Sequence, residues 1–251
     1  TCEIPVTVVP AELQVPWNSA TMEATPPPVL PAFEYESDLD TPAAPVEYAQ
    51  VEYPDTTREL RIRFTGVTGG TIAEATRRNY SGANPNPWAS MTEYLGHGGS
   101  NWYAYAGVDW EGDDADFRVR FFNSAEEGSY WSPLLSPRPV AAPNNSATGA
   151  PTIISAVATD VNDGVVLTFK AGELRAVRAV VQYDWESSGW TTHSTINPLR
   201  PDTLHTVTMD GFKNLLISDQ NLNWRVATLT SNGTVGTYAT GSVVIPGSGG
   251  P

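Results

Sequence analysis

Four short segments of the 251-residue chain recur in the same order slightly more than a hundred residues later. Pro45-Val46-Glu47-Tyr48-Ala49-Gln50-Val51 matches Pro151-Thr152-Ile153-Ile154-Ser155-Ala156-Val157 at an offset of 106, and Leu60-Arg61-Ile62-Arg63-Phe64 matches Val165-Val166-Leu167-Thr168-Phe169 at 105. Phe117-Arg118-Val119-Arg120 matches Trp224-Arg225-Val226-Ala227 at 107, and Gly128-Ser129-Tyr130 matches Gly236-Thr237-Tyr238 at 108. Offsets that drift so little across four ordered segments point to one structural unit of about 100 residues used twice. The plan is then two tandem domains, residues 45–140 and 151–246, with a linker at 141–150, an arm at 1–44 and a flexible tail at 247–251. The stretch from Ser136 to Gly149, rich in Pro, Ala, Asn and Ser, reads as a short semi-stiff connection.

Within each unit the apolar residues recur every second position, the period of a half-buried strand. Leu60, Ile62 and Phe64 share one face while Arg61 and Arg63 share the other. From Asn101 to Trp110, one face carries Trp102, Ala104, Ala106, Val108 and Trp110, and the opposite face carries Tyr103, Tyr105 and Asp109. Phe117, Val119 and Phe121 oppose Arg118, Arg120 and Phe122 in the same way, and Val177–Trp185 and Thr203–Met209 alternate more weakly. Gly and Pro contribute 21 residues each, too many for long helices and well matched to short strands joined by turns, so a helical bundle is excluded. About seven strands in about 100 residues predict an antiparallel β-sandwich, and the fold class is all-β.

The run Asp116-Phe117-Arg118-Val119-Arg120-Phe121-Phe122-Asn123-Ser124-Ala125-Glu126-Glu127-Gly128-Ser129-Tyr130-Trp131-Ser132-Pro133 resembles the last two strands, F and G, of a fibronectin type III domain. In that family an aromatic-x-Val-Arg strand enters an Asn-containing loop, then Gly, then a Trp-Ser-containing final strand. The second unit is similar through Trp224-Arg225-Val226-Ala227, the loop Thr230–Gly236 and the strand Thr237–Ile245. Two positions depart from the pattern. The usual strand-B tryptophan is absent, with Phe64 and Phe169 nearby, and the usual strand-F tyrosine is replaced by Phe117 and Trp224. The resemblance implies two tandem immunoglobulin-like, fibronectin-III-like sandwiches. Domains of this kind, without disulfides and with Ser/Thr/Gly-rich surfaces, are common in structural proteins of tailed bacteriophages and in bacterial extracellular proteins.

Charge is unevenly distributed. Residues 1–44 hold seven acids and no Lys or Arg, with prolines at 5, 10, 16, 26, 27, 28, 31 and 42. Repeated proline excludes a helix and removes donors from sheet ladders, so an extended arm is expected. Its apolar residues Ile4, Val6, Val8, Leu13, Val15, Trp17, Val29, Leu30, Phe33 and Tyr35 are anchors for a neighbouring subunit. The formal net charge is −14, which repels a phosphate backbone and argues against nucleic acid. No run approaches the roughly 18 to 20 apolar residues that cross a bilayer as a helix, so no membrane insertion is expected. Cys2 stands alone, which excludes an intrachain disulfide and a cysteine metal site.

Catalytic constellations are missing from the sequence. The three histidines, His97, His193 and His205, form no metal-ligand pair at helical spacing, and no Gly-x-Ser-x-Gly elbow or phosphate-binding glycine loop occurs. The densest carboxylate group is Asp109, Glu111, Asp113, Asp114 and Asp116, with Gly112 among them. Clustered hard oxygens suit calcium, although the spacing is not that of an EF-hand, and a solvated loop facing Arg118 and Arg120 is the plainer reading. Eight Trp and ten Tyr exceed what two sandwich cores need, which makes Tyr103, Tyr105 and Trp185 candidate sugar-stacking or interface residues. Trp88 and Trp190 lie 102 positions apart, favouring a shared packing role. The chain is therefore expected to be a non-enzymatic virion component of a phage or phage-like particle, in a tail-tip, fibre or capsid-decoration role. Its expected partners are other virion subunits in a homo-oligomeric assembly and, more weakly, host surface polysaccharide. The alternative is a carbohydrate- or surface-binding module of a secreted bacterial protein or adhesin; either places it in a virion or outside the cell.

Overall fold

The structure, a computed structural model, describes residues 17–18, 23–24, 38–91, 93–96, 101–159, 164–185, 187–212 and 219–246. Of residues 1–35 it describes the backbone of two short antiparallel strands, β1 (Trp17–Asn18) and β2 (Glu23–Ala24), with Trp17 opposite Ala24, whereas the end of the expected arm, residues 38–44, belongs with the sandwiches, Leu39 packing against the first core. The proposed anchors Ile4, Val6, Val8, Leu13, Val15, Leu30 and Phe33, and also Cys2, His97 and the tail, lie outside the described residues. These two strands belong to one unit, residues 1–35, and everything below concerns the other, residues 36–251.

The described residues beyond the arm form strands and loops with no helix. The first sandwich contains β3 (Glu47–Glu52), β4 (Arg58–Thr65), β5 (Ile72–Ser81), β6 (Asn84–Pro85), β7 (Ala89–Ser90), β8 (Glu93–Gly96), β9 (Asn101–Ala106) and β10 (Ala115–Phe122). One sheet runs β3-β4-β9-β8; the other pairs β10 with β5, which also carries β6 and β7. Their facing sides make one core, since Leu60, Ile62, Phe64, Ala104 and Ala106 from the first sheet meet Ala73, Ala75, Phe117, Val119 and Phe121 from the second. The alternation in the sequence is the cause: each inward position is apolar, so any one-residue slip in register would expose the whole set. Phe121 meets Phe64 and Trp102 edge-on, the arrangement that ring quadrupoles favour.

The second sandwich contains β11 (Thr152–Thr159), β12 (Gly164–Lys170), β13 (Arg178–Trp185), β14 (Thr191–Ile196), β15 (His205–Met209), β16 (Gln220–Leu229) and β17 (Ala239–Ile245). A three-stranded sheet, β11-β12-β15, faces a four-stranded one, β14-β13-β16-β17. Their core, from Val165, Leu167 and Phe169 to Trp224, Val226 and Ile245, is distinct from the first. These are two antiparallel sandwiches, and among the described residues no strand of one pairs with a strand of the other.

The last segment of the first sandwich departs from the strand expected there. Ser129, Ser132 and Leu135 donate their N–H groups to the carbonyls of Phe121, Val119 and Phe117 at 2.8, 2.8 and 3.0 Å. Three residues of the segment thus advance against two of β10, too long a step for a regular ladder. The amides of β10 that this mismatch would orphan are taken by side chains: Phe121 N–H donates to Ser129 Oγ and Val119 N–H to Ser132 Oγ, both at 3.0 Å. The stretch read as a linker is likewise tied down at both ends. Val140 is buried in the first core, and Thr148 bonds Thr228 of β16 at 2.7 Å.

Candidate functional site

Two arrangements of side chains stand out, one between the sandwiches and one on an outer sheet face. In the first, the outer side of β3, β4 and β9 lies against two loops of the second sandwich, residues 171–176 and 199–203. Arg61, the residue opposite the core positions Leu60 and Ile62, is 1% exposed. Its Nη1 donates to the carbonyls of Leu174 and Ala176 at 2.9 and 3.1 Å, its Nη2 donates to the Tyr53 hydroxyl at 2.9 Å, and its Nε pairs with Glu59. Arg63 bridges Glu47 and Asp202, each at 2.9 Å. Burial pushes the Glu47 carboxyl above its ordinary value, against the pull of Arg63 and with the charges of Glu173 and Asp202 adding to the rise. Asp202 itself sits at φ 58, a left-handed conformation that Asp tolerates better than most residues.

The same junction absorbs two of the three candidate ligand-binding aromatics. Tyr103 is 1% exposed and packs with Ala49 and Leu174, and its hydroxyl meets Thr203 Oγ1 at 2.8 Å. Arg200 lies 4.2 Å over the Tyr105 ring and donates to its hydroxyl at 3.0 Å. The alternating pattern correctly sets both tyrosines opposite the core, yet the face they share is covered by the second sandwich and not by solvent. Trp185, the third candidate, stacks on Phe212 at 5.3 Å and packs against the second core. A sequence pattern reports which side of a sheet a residue occupies; it does not report what covers that side.

The carboxylate loop is likewise divided among partners. Arg58 binds Asp109 and Glu111 at 2.8 and 2.6 Å, which holds the Asp109 carboxyl below its ordinary range. Asp113 accepts from Asn79, and Asp114 lies 3.7 Å from Arg138. Asp116 is fully buried and accepts from Tyr80 at 2.6 Å, Ser136 at 2.7 Å, Arg138 at 2.5 Å and Arg78 at 2.9 Å. Burial would raise its pKa, but these four donors outweigh it and hold the group well below the usual carboxylate range. Among the described residues no three His, Cys, Asp or Glu side chains converge in a manner suited to a metal. His193 and His205 each place Nε2 against a main-chain carbonyl, of Thr208 and Arg200 respectively, and His205 is half-buried against Phe169, whereas its pattern predicts a solvated ring.

The second arrangement is a ladder of alternating rings and guanidinium groups on the outer face of β5 and β10. In order it runs Phe122, Arg120, Trp131, Arg118, Trp88, Arg78, Tyr80, Arg138, with cation-to-ring distances of 4.8, 4.6, 4.1, 4.0, 4.4, 5.7 and 4.8 Å. The register of the two strands builds it, placing Asp116 opposite Arg78, Arg118 opposite Thr76 and Arg120 opposite Glu74. Arg78 and Arg120 hold ion pairs with Asp116 and Glu74. Arg118 has no carboxylate partner among the described residues; its Nε reaches Thr76 Oγ1 at 3.4 Å. Burial and then the neighbouring charges of Arg78 and Arg120 lower its pKa from the ordinary arginine value, as expected of a cation held among cations.

The second sandwich repeats the device in smaller form: Arg225 lies between Trp190 and Tyr238, 4.2 and 4.3 Å from the ring centroids. The shared role expected of Trp88 and Trp190 is therefore to face an arginine of the penultimate long strand. The Arg-x-Arg of Phe117–Arg120 with the downstream Trp131 carried this signal in the sequence, although neither arginine was expected to stack on rings.

No protein-family model matches the sequence, and no curated protein is similar to it. Among solved structures, the chain is similar to a crystal structure of the chicken CNTN1 FN1-FN3 domains, at 13% identity and a TM-score of 0.34, over 82% of this chain and 68% of that one.

Proposed function

We propose that the chain is a non-enzymatic structural subunit of a bacteriophage or phage-like particle, which docks through residues 1–44 and presents two sandwiches as one stiff body in a tail-tip, fibre or capsid-decoration position. The observation that carries this reading is the junction. A tethered pair of binding modules would keep a solvated hinge, whereas here Arg61 gives two hydrogen bonds to carbonyls of the other sandwich and is 1% exposed. A buried guanidinium whose partners belong to both bodies penalises any opening, because separation would strand carbonyls and charge alike. Fixed geometry of this kind suits a spacer in a symmetric assembly. The arm's apolar and proline-rich composition suits attachment to a neighbouring subunit, with the virion or the cell exterior as its setting. Deleting residues 1–35, which precede the sandwich unit, should abolish incorporation into particles while both sandwiches stay folded by circular dichroism; unchanged incorporation would count against the reading.

A second reading, a surface-binding module of a secreted protein that recognises polysaccharide, is favoured by a different observation. Trp190 remains 39% exposed with Arg225 stacked 4.2 Å over its ring, an exposed ring and a cation of the kind that sugars and their acidic derivatives engage. Retention of a glycan on an array, lost on Trp190→Ala, would support it, and no retained glycan would weaken it.

A further inference from the structure

The Arg118 face carries more positive charge than its surroundings use. The whole chain holds only 14 Lys and Arg against 28 acids, so copies repel on average and association needs a local cationic surface. Four of those cations, Arg78, Arg118, Arg120 and Arg138, lie along the single ladder of β5, β10 and the segment after them. Arg138 and Arg78 share the buried Asp116, and Arg120 takes Glu74. That leaves Arg118, half-buried between Trp88 and Trp131, with a hydroxyl as its sole hydrogen-bond partner among the described residues. A guanidinium pre-oriented by two rings has little further freedom to lose, so it is suited to charge-assisted bonds with an incoming carboxylate.

The chain contains a segment of matching chemistry. Residues 1–44 have seven acids and no base, and the Pro26-Pro27-Pro28 run lies between Glu23 and Glu34. Proline-rich peptides are stiff before they bind and dock on tryptophan and tyrosine rings, while flanking acids address arginines. We propose that the Arg78–Arg118–Arg120 face of one copy is the acceptor for the acidic proline-rich arm of a second copy, with Arg118 binding an arm carboxylate. This rests on the reading that the arm docks in assembly, and it names the acceptor surface.

The test is a titration of the full-length protein into a fluorescein-labelled synthetic peptide of residues 1–44, followed by fluorescence polarisation. Saturable binding is expected, weakened at least about tenfold by Arg118→Glu and less by Arg118→Gln, and weakened as ionic strength shortens the Debye length below about 10 Å. A peptide carrying the seven acids as amides should fail to bind, a result that does not depend on any variant folding. Tryptophan fluorescence and near-ultraviolet circular dichroism check that both Arg118 variants are native. Equal affinity of Arg118→Glu and the parent, equal affinity of the amide peptide, or no binding at all would each overturn the proposal. Particle incorporation separates this outcome from failure of the functional reading. If loss of residues 1–35 abolishes incorporation but Arg118→Glu does not, the arm's acceptor is elsewhere and the docking reading stands. If neither change matters, both fall.

Discussion

At the scale of single residues, the strongest constraints come from polar groups placed where water cannot reach them. Asp116 is the clearest, fully buried and receiving bonds from Tyr80, Ser136, Arg138 and Arg78. Asp116→Asn keeps the shape but leaves two arginines facing an amide, and should destabilise the first sandwich by about 3 kcal/mol, the order seen when one member of a buried ion pair is removed. Because the folded pKa lies below the unfolded value of about 3.9, the stability this carboxylate contributes is present above that pH and is lost as pH falls from there through the folded pKa. Denaturant midpoints between about pH 2 and pH 5 should therefore slope less in Asp116→Asn than in the parent. Gly241 is constrained by shape alone: a Cβ there would lie 2.3 Å from the Trp224 ring. Gly241→Ala should force that ring off its core position and lower stability by about 1 to 3 kcal/mol, as overpacking does, which thermal unfolding followed by tryptophan fluorescence would show.

At the scale of elements, period-two alternation made β10 legible, and β16 was legible through its match to β10 in the internal repeat. The final segment of the first sandwich was less legible. Trp131-Ser132-Pro133 reads as strand only through its resemblance to a known last strand, yet its three-for-two step against β10 depends on serine hydroxyls standing in for main-chain carbonyls. No propensity records that substitution, since it is a property of two segments together. If the hydroxyls serve that purpose, Ser129→Ala and Ser132→Ala should each cost about 1 to 2 kcal/mol by leaving a buried N–H unpaired, and hydrogen exchange at the Phe121 and Val119 amides should accelerate in the matching variant. The acidic loop shows the same limit from the other side. Its five carboxylates are adjacent in sequence, but Arg58, Asn79, Arg138 and Arg78 approach from other strands and divide them, so proximity along the chain overstated their capacity to act jointly.

At the scale of the whole molecule, duplication was legible from the offsets, while the way the copies meet was not, because Arg61, Arg63, Tyr103 and Tyr105 look like ordinary outward-facing residues until the second sandwich is placed over them. Arg61→Ala should leave the carbonyls of Leu174 and Ala176 short of a donor and cost about 2 to 4 kcal/mol, each bond to a charged group contributing roughly 1.5 to 3 in favourable cases. Small-angle scattering should then report a wider range of particle dimensions while both cores remain folded; unaltered scattering would mean that the tyrosine contacts alone fix the arrangement. The swap of residues between the repeats is also uneven: the first unit has Arg61 and Arg63 where the second has Val166 and Thr168, so only the first has the side chains to grip a follower. The pair is in consequence directional, and it terminates itself. A third unit of the second kind, appended after Ile245, would find no equivalent hand to hold it, so lengthening this protein at that end by gene duplication would produce a loose string.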